Sequence, residues 1–74
     1  MNSIMNKNMT DRELEVLNYV VQGMTNLEIA EKLMITHHTV KAHIASILRK
    51  MGVKNRLSAA LLATKKGIIN LHQG

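Results

Sequence analysis

The stretch that decides the fold runs from residue 25 to residue 53 and reads TNLEIAEKLMITHHTVKAHIASILRKMGV. Apolar residues recur in it at helical spacing in two runs, 26 to 33 and 37 to 51. The short segment between the two runs leaves room only for a tight turn. The stretch therefore predicts two helices joined by a tight turn, and the second helix ends in the basic pair Arg49 and Lys50.

Helix starts are marked by residues that cap free backbone N–H groups. Thr10-x-x-Glu13 and Thr25-x-x-Glu28 both match the capping box, in which the hydroxyl and the carboxylate each accept a hydrogen bond from the backbone. Thr36 stands directly before the second helix of the opening stretch, and Asn55 is the expected cap of a further helix.

Helix ends are marked by glycines that follow an apolar run, where a left-handed residue ends a helix at little cost. These glycines are Gly23, Gly52 and Gly67. Caps and glycines together predict helices at about 11 to 22, 26 to 33, 37 to 51 and 56 to 66. No segment alternates apolar and polar residues as a half-buried strand would, and Pro is absent. The fold class is therefore predicted to be all-α, with four helices.

The spacing of apolar residues also predicts which helix faces are buried. One stripe of the third helix is apolar and comprises Val40, Ile44, Ile47, Leu48 and Met51. The opposite side, predicted to face solvent, comprises His38, Ala42, Ala45 and Arg49. The first two helices are expected to complete the core with Leu14, Leu17, Val20, Val21, Ile29, Ala30 and Leu33.

The length of 74 residues bounds the chain to one small domain, with no room for a deep substrate cleft. We expect this domain to span residues 9–71, between an N-terminal tail or linker remnant at 1–8 and a short tail at 72–74. Because Cys is absent, disulfides and thiolate metal sites are excluded. The N-terminus has no apolar segment typical of a signal peptide, and no apolar run is long enough to cross a bilayer, so a cytoplasmic location is expected.

Charge is distributed unevenly along the chain, whose net charge is +5. Residues 1–31 contain two cationic side chains and all five acids, whereas residues 32–74 contain eight cationic side chains and no acid. Such a distribution favours a polyanionic partner, either nucleic acid or anionic lipid. Ordinary solvated helix faces would explain the same counts equally well, because clustering in sequence is not clustering in space.

Four consecutive blocks carry a family resemblance. They read MTDRELEVL at 9–17, GMTNLEIA at 23–30, ITHHTVKAH at 35–43 and ILRKMGVKNR at 47–56. In this order and spacing they closely resemble the LuxR-type (GerE-like) helix-turn-helix DNA-binding domain. The resemblance covers residues 9 to about 67 and implies a sequence-specific, DNA-binding transcription regulator of bacterial type.

The resemblance implies that the third helix enters the major groove of DNA. The residues expected to face the bases are His38, Lys41, Ala42 and Ala45. Lys can donate to the N7 and O6 acceptors of guanine, whereas Ala can only contact a thymine methyl group. The family often has hydrogen-bonding residues at positions 42 and 45, so we expect few direct base contacts. More of the discrimination is then expected from His38, Lys41, DNA shape and paired half-sites.

Contacts with the DNA backbone are expected from hydroxyl, imidazole and cationic side chains. These are Thr25, Thr36, His37, Thr39, His43, Arg49 and Lys50. For Thr36, a role as a plain helix cap is equally compatible with the pattern. Leu27 stands where the family frequently has a basic residue, which removes one phosphate contact. Met34 stands where many members have Gly, so it is strained if the turn requires a positive φ.

The fourth helix is rich in Leu and Ala, and the resemblance implies that it pairs with a second copy about a twofold axis. The expected interface comprises Leu57, Ala60, Leu61, Leu62 and Thr64. Four of these share one side of the helix, whereas Leu62 lies away from them and is predicted to be exposed. Ile68, Ile69 and Leu71 either extend the interface or fold back onto the core.

The histidines at 37, 38 and 43 raise the alternative of a metal site. Paired ligands on a helix usually stand four residues apart, a spacing that neither 37/43 nor 38/43 has, so no metal or other cofactor is expected. Near phosphates, these imidazoles would instead favour tighter DNA binding as the pH falls through the range in which imidazoles bind a proton.

Other classes of function fit less well. An enzyme is not expected, because the acids occupy helix-start positions and no nucleophile is paired with a base. A cationic peptide acting at anionic membranes would need interfacial aromatic residues, yet the only Tyr lies in the acidic half. Two forms of regulator stay open: a free-standing protein, or the output domain of a longer two-component response regulator or ligand sensor. Contact with RNA polymerase is also left open.

Overall fold

Four helices make up the described part of the computed structural model, which comprises residues 8–67. They are α1 (Asp11–Val21), α2 (Asn26–Leu33), α3 (His37–Met51) and α4 (Arg56–Lys65). The predicted boundaries are confirmed to within one residue, and residues 8–67 contain no strand, as the all-α prediction requires. The expected tails lie outside the described residues except for Asn8, and so do Ile68, Ile69 and Leu71.

All four predicted helix caps are present. In the capping box of α1, the backbone N–H of Glu13 donates to the Thr10 hydroxyl at 3.0 Å, and that of Thr10 donates to Glu13 Oε1 at 3.0 Å. The same pair of bonds joins Thr25 and Glu28 at the start of α2, with distances of 3.1 and 2.8 Å. Thr36 caps α3 and Asn55 caps α4 through single side-chain bonds. Each helix therefore starts where a local hydrogen bond allows it.

The turn between α2 and α3 contains a left-handed residue that is not glycine. Met34 has φ 59° and ψ 45°, and the residue is 90% exposed. The turn therefore does place Met34 at a positive φ, the condition on which its predicted strain depends, because a Cβ in the left-handed region approaches the following carbonyl oxygen. At the other end of α3, Gly52 adopts φ 73° without this conflict.

The third helix runs through the centre of the domain and packs against α1, α2 and α4. The largest fully buried side chains come from three helices: Val16, Leu17, Ile29, Val40 and Ile47. The predicted apolar stripe of α3 thus faces the core, although Ile44 and Leu48 are only half-buried. Leu14, also predicted for the core, is half-buried too, whereas its neighbour Val16 is fully buried instead.

The fourth helix turns its small residues inward. Ala59 and Ala63 are buried and Leu62 packs against the core, so the prediction that Leu62 is exposed is wrong. The exposed leucines are Leu57 and Leu61, at 66% and 63%. Because α4 has apolar residues all round, its sequence does not distinguish the inner from the outer face. Packing against α1 and α3 makes that choice, and small alanines allow the helices to approach closely.

A membrane-spanning role would require a long apolar helix. Within residues 8–67, no helix combines the necessary length and apolar character.

Candidate nucleic-acid interface

The solvent-facing side of α3 presents the residues that the sequence assigns to DNA bases. His38, Lys41, Ala42 and Ala45 are all exposed, and Arg49 continues the same side towards the C-terminus. The helix contains no acidic residue, and its 15 residues correspond to a length of about 22 Å. Two alanines in the middle leave the helix surface shallow. This side can therefore approach a polyanion closely without charge repulsion from its own helix.

The N-terminus of α3 carries two threonines and two exposed histidines. The Thr36 hydroxyl accepts from the backbone N–H of Thr39 at 3.0 Å, and the two hydroxyls lie 2.9 Å apart. Because one of the two hydroxyl protons forms that bond, the other is left to donate outwards. His37 and His38 are exposed beside this pair. The positive end of the helix dipole and these donors together favour an anion at this end.

His43 lies further along α3 and is half-buried. Within the part of the chain that the structure describes, no three residues of the His, Cys, Asp and Glu types are grouped as a metal site would need.

The start of α2 lies beside the start of α3. Thr25, Leu27, His37 and Arg56 line one open groove of about 470 Å³. Thr25 is exposed, and Leu27 is 63% exposed on the outer side of α2. Two predicted phosphate contacts, Thr25 and His37, are thereby placed on one surface, although they lie in different helices.

Lys50 is positioned differently from the other predicted backbone contacts. Its Nζ lies 2.8 Å from Glu13 Oε1 and donates to the Asn8 carbonyl at 2.8 Å. The side chain is only 24% exposed. Lys50 is thus engaged with the start of α1, whereas the neighbouring Arg49 is exposed and has one long contact, at 3.4 Å, with the Ser46 hydroxyl. Arg49 has the freer cation for a phosphate contact.

Glu13 is the centre of the network that holds Lys50. The Glu13 side chain is only 7% exposed, and besides the bonds from Lys50 and Thr10 its carboxylate accepts a 2.7 Å bond from the Ser46 hydroxyl. Burial alone would raise the pKa of Glu13, but the bonds from Lys50, Thr10 and Ser46 and the charge of Lys50 outweigh it. The pKa falls from 4.5 to about 2. The network therefore joins α1 to the C-terminal half of α3 with an ionised carboxylate.

Arg56 also makes contacts that sequence reasoning missed. Its two terminal nitrogens donate to Asn26 Oδ1 at 2.6 Å and to the Met24 carbonyl at 2.9 Å. One sequence signal could have indicated this role, because a cation at the first position of a helix opposes the helix dipole. An Arg placed there is expected to have a partner elsewhere in the fold. For Ser46 and its bond to Glu13, the sequence contains no comparable signal.

The exposed side of α4 forms a second surface. Leu57 and Leu61 are exposed, Thr64 is exposed beside them, and Ala60 is half-buried. An open, mainly apolar groove of about 320 Å³ adjoins Leu61 and is also lined by Val53, Ser58, Leu62 and Lys65. Leu62 thus contacts the core and still reaches this groove. All five residues predicted for pairing belong to this surface or border it.

Similarity to known proteins agrees with this geometry. The model of a family described as "Bacterial regulatory proteins, luxR family" matches residues 7–63. The transcriptional regulatory protein LiaR of Bacillus subtilis is 44% identical over 69 residues, which cover 93% of this chain and 33% of LiaR. The nitrate/nitrite response regulator protein NarP of Escherichia coli is 46% identical over 54 residues, which cover 73% of this chain and 25% of NarP.

A third relative, the transcriptional regulatory protein DesR of Bacillus subtilis, is 46% identical over 59 residues, 80% of this chain and 30% of DesR. The chain thus spans a third or less of the length of these relatives. All three relatives are named as regulators, and the predicted resemblance to the LuxR-type family is confirmed. The family match covers most of the chain, and all four helices fall within or overlap it. The chain therefore belongs to the luxR family of bacterial regulatory proteins.

Proposed function

We propose that this domain recognises duplex DNA by inserting α3 into the major groove. The observation that carries the proposal is the division of α3 into two sides. Val40 and Ile47 are buried in the core, whereas the side with His38 and Lys41 is exposed and free of acids. Lys41 would donate to guanine N7 and O6, and the two alanines would allow close approach and contact thymine methyl groups. The regulator would act in the cytoplasm.

Contacts with phosphates would hold the helix in place. Thr25 and His37 line one groove, Thr36 caps α3, and Thr39, His43 and Arg49 lie along α3 itself. Hydroxyl, imidazole and guanidinium groups all donate to phosphate oxygens. Lys50 would contribute less, because its ammonium group is already paired with Glu13. Binding is therefore expected to depend on salt through a small number of cationic contacts.

Pairing of two copies through α4 would place two α3 helices on successive major grooves, about 34 to 36 Å apart. Two exposed leucines one helical turn apart, beside an apolar groove, support this pairing surface. Leu61→Glu would place charges in the interface and is expected to abolish cooperative binding to a twofold site while binding to a single half-site persists. Equal cooperativity in the variant and in the original protein would refute pairing through α4.

A selection of binding sites from random DNA at two salt concentrations tests the proposal directly. We expect a consensus with twofold symmetry and a slope of about −0.9 per phosphate neutralised. Lys41→Ala should cost about 1 to 3 kcal/mol and relax preference at one base position. Lys66→Ala, which removes the same charge from the exposed end of α4, is the matched control. A loss from Lys41→Ala that is uniform across all sequences would make Lys41 a phosphate contact instead.

The share of its relatives' length that the chain covers supports a second form of the proposed function. Because the chain spans only a third or less of its relatives, it would also fit the role of the output domain of a longer response regulator or ligand sensor. The intact mass of the protein isolated from its host distinguishes this form from a free-standing regulator. In both forms the DNA-binding surface is the same.

The membrane alternative is disfavoured by the burial of the apolar stripe of α3. An interfacial helix would need that stripe to face lipid. Salt-sensitive binding to duplex DNA without binding to anionic vesicles is expected, whereas vesicle binding alone would refute the DNA proposal.

A further inference from the structure

Arg56 connects two helices that otherwise have little contact. It is the first residue of α4, and its guanidinium donates to Asn26 at the start of α2 and to the carbonyl of Met24 just before it. A guanidinium that donates from two nitrogens is fixed in orientation as well as in position. Because a cation at a helix N-terminus is unfavourable, this link across the fold offsets a local electrostatic cost.

The start of α2 has few other tertiary contacts to hold it. This helix has eight residues, packs chiefly on α3, and buries only Ile29 and Ala30. A helix of this length is marginal by itself, and its orientation therefore depends on its neighbours. Both buried residues lie in the middle of the helix, and Leu33 at its end packs against the core, whereas Leu27 and Glu28 in its first turn are exposed. The Arg56 bonds thus act on the end of α2 that the core holds least.

That end of α2 carries part of the surface assigned to DNA. Thr25 is exposed there as the cap of α2, and His37 of α3 lines the same groove as Arg56. On the other side of Arg56, the next residue of α4 is the exposed Leu57 of the pairing surface. A small rotation of the start of α2 would move Thr25 relative to His37 and separate two contacts with one DNA backbone.

We infer that Arg56 is a positioning residue: it fixes the start of α2 against α4, so that Thr25 and His37 can bind the same DNA backbone together. The inference rests on the proposed DNA-binding function. Arg56 need not contact DNA itself, since its guanidinium group makes both of these hydrogen bonds within the protein.

The test compares Arg56→Lys, Arg56→Met and Asn26→Ala in binding to a selected duplex over a series of salt concentrations. Arg56→Lys keeps the charge but loses the two-pronged geometry, and Asn26→Ala removes one acceptor while Arg56 stays in place. Arg12→Met is the matched control, because it removes the same side chain from the exposed start of α1. Thermal melting of each variant without DNA sets a measuring temperature at which all are folded.

Arg56→Lys and Arg56→Met are both expected to weaken DNA binding about tenfold, which corresponds to ~1.4 kcal/mol, with the salt slope unchanged. Asn26→Ala should weaken binding less, and adding it to Arg56→Met should cause little further loss, because both act through one contact. The Arg12→Met control should bind like the original protein.

Two results would overturn the inference. If Arg56→Lys binds normally while Arg56→Met lowers the salt slope by about 0.9, Arg56 contacts a phosphate directly. If all variants melt at lower temperature but bind DNA unchanged when folded, the contact serves stability alone. Failure of the original protein to bind DNA would instead refute the proposed function itself, and the inference with it.

Discussion

The buried carboxylate of Glu13 is expected to make the stability of this domain depend on pH between about 4.5 and 2. The perturbation that reveals this dependence is Glu13→Gln, which removes the charge and keeps the shape. Gln is also accepted in a capping box, so the bond from the Thr10 backbone can persist. The bonds from Lys50 and Ser46 would lose their ionised acceptor.

The magnitude follows from the pKa, which falls from 4.5 to about 2 on folding. Each pKa unit corresponds to ~1.4 kcal/mol, so the full effect would be about 3 kcal/mol. Lys50 is partly exposed, at 24%, and solvent screens its charge, so we expect about 1 to 2 kcal/mol. Because the pKa is lower in the folded state, this stabilisation is fully present above the unfolded pKa. It is lost as the pH falls towards the folded pKa.

The assay is urea unfolding at constant ionic strength, followed by circular dichroism, at several pH values from about 6 to about 2. The difference in free energy of unfolding between the original protein and Glu13→Gln should shrink by about 1 to 2 kcal/mol over this range. Lys50→Met should reduce the same pH dependence, because it removes the cation that lowers the pKa of Glu13. Glu15→Gln is the control, since Glu15 has only an exposed pair with Arg12 at 3.5 Å.

Two outcomes would refute this reasoning. Parallel stability curves for the original protein and Glu13→Gln would mean that folding does not lower the pKa of Glu13. An equal change in Glu15→Gln would mean that general charge, and not the buried network, governs acid unfolding.

Further predictions concern the two turns that flank α3. Met34→Gly should stabilise the domain by about 0.5 to 1 kcal/mol, because Gly adopts a left-handed φ of 59° without the strain of a Cβ. A lower melting temperature of the variant would contradict this. Gly52→Ala should destabilise the domain by about 1 kcal/mol, because Ala is strained at a φ of 73°. A new Cβ would meet no atom within 4 Å, so the cost comes from the backbone alone. An unchanged melting temperature would contradict it.

The amino-acid sequence by itself determined where the helices begin and end. The caps at Thr10, Thr25 and Thr36 bond to residues three positions away, so these bonds can be predicted from the spacing of residues along the chain. The apolar stripe of α3 is equally local, because helical periodicity places Val40 and Ile47 on one face. The same periodicity predicted that the side of α3 with Lys41 is exposed. The resemblance to the LuxR-type family then suggested that this side faces DNA bases.

Only the tertiary structure decided which charged side chains are engaged within the protein. The bond from Lys50 to Glu13 joins residues 37 positions apart, and the bond from Arg56 to Asn26 joins residues 30 positions apart. No periodicity encodes such pairs, because they depend on how the helices pack. The orientation of α4 was also decided by the packing of the helices. Because the α4 sequence is apolar all round, its contacts with α1 and α3 determine that Leu57 and Leu61 stay exposed.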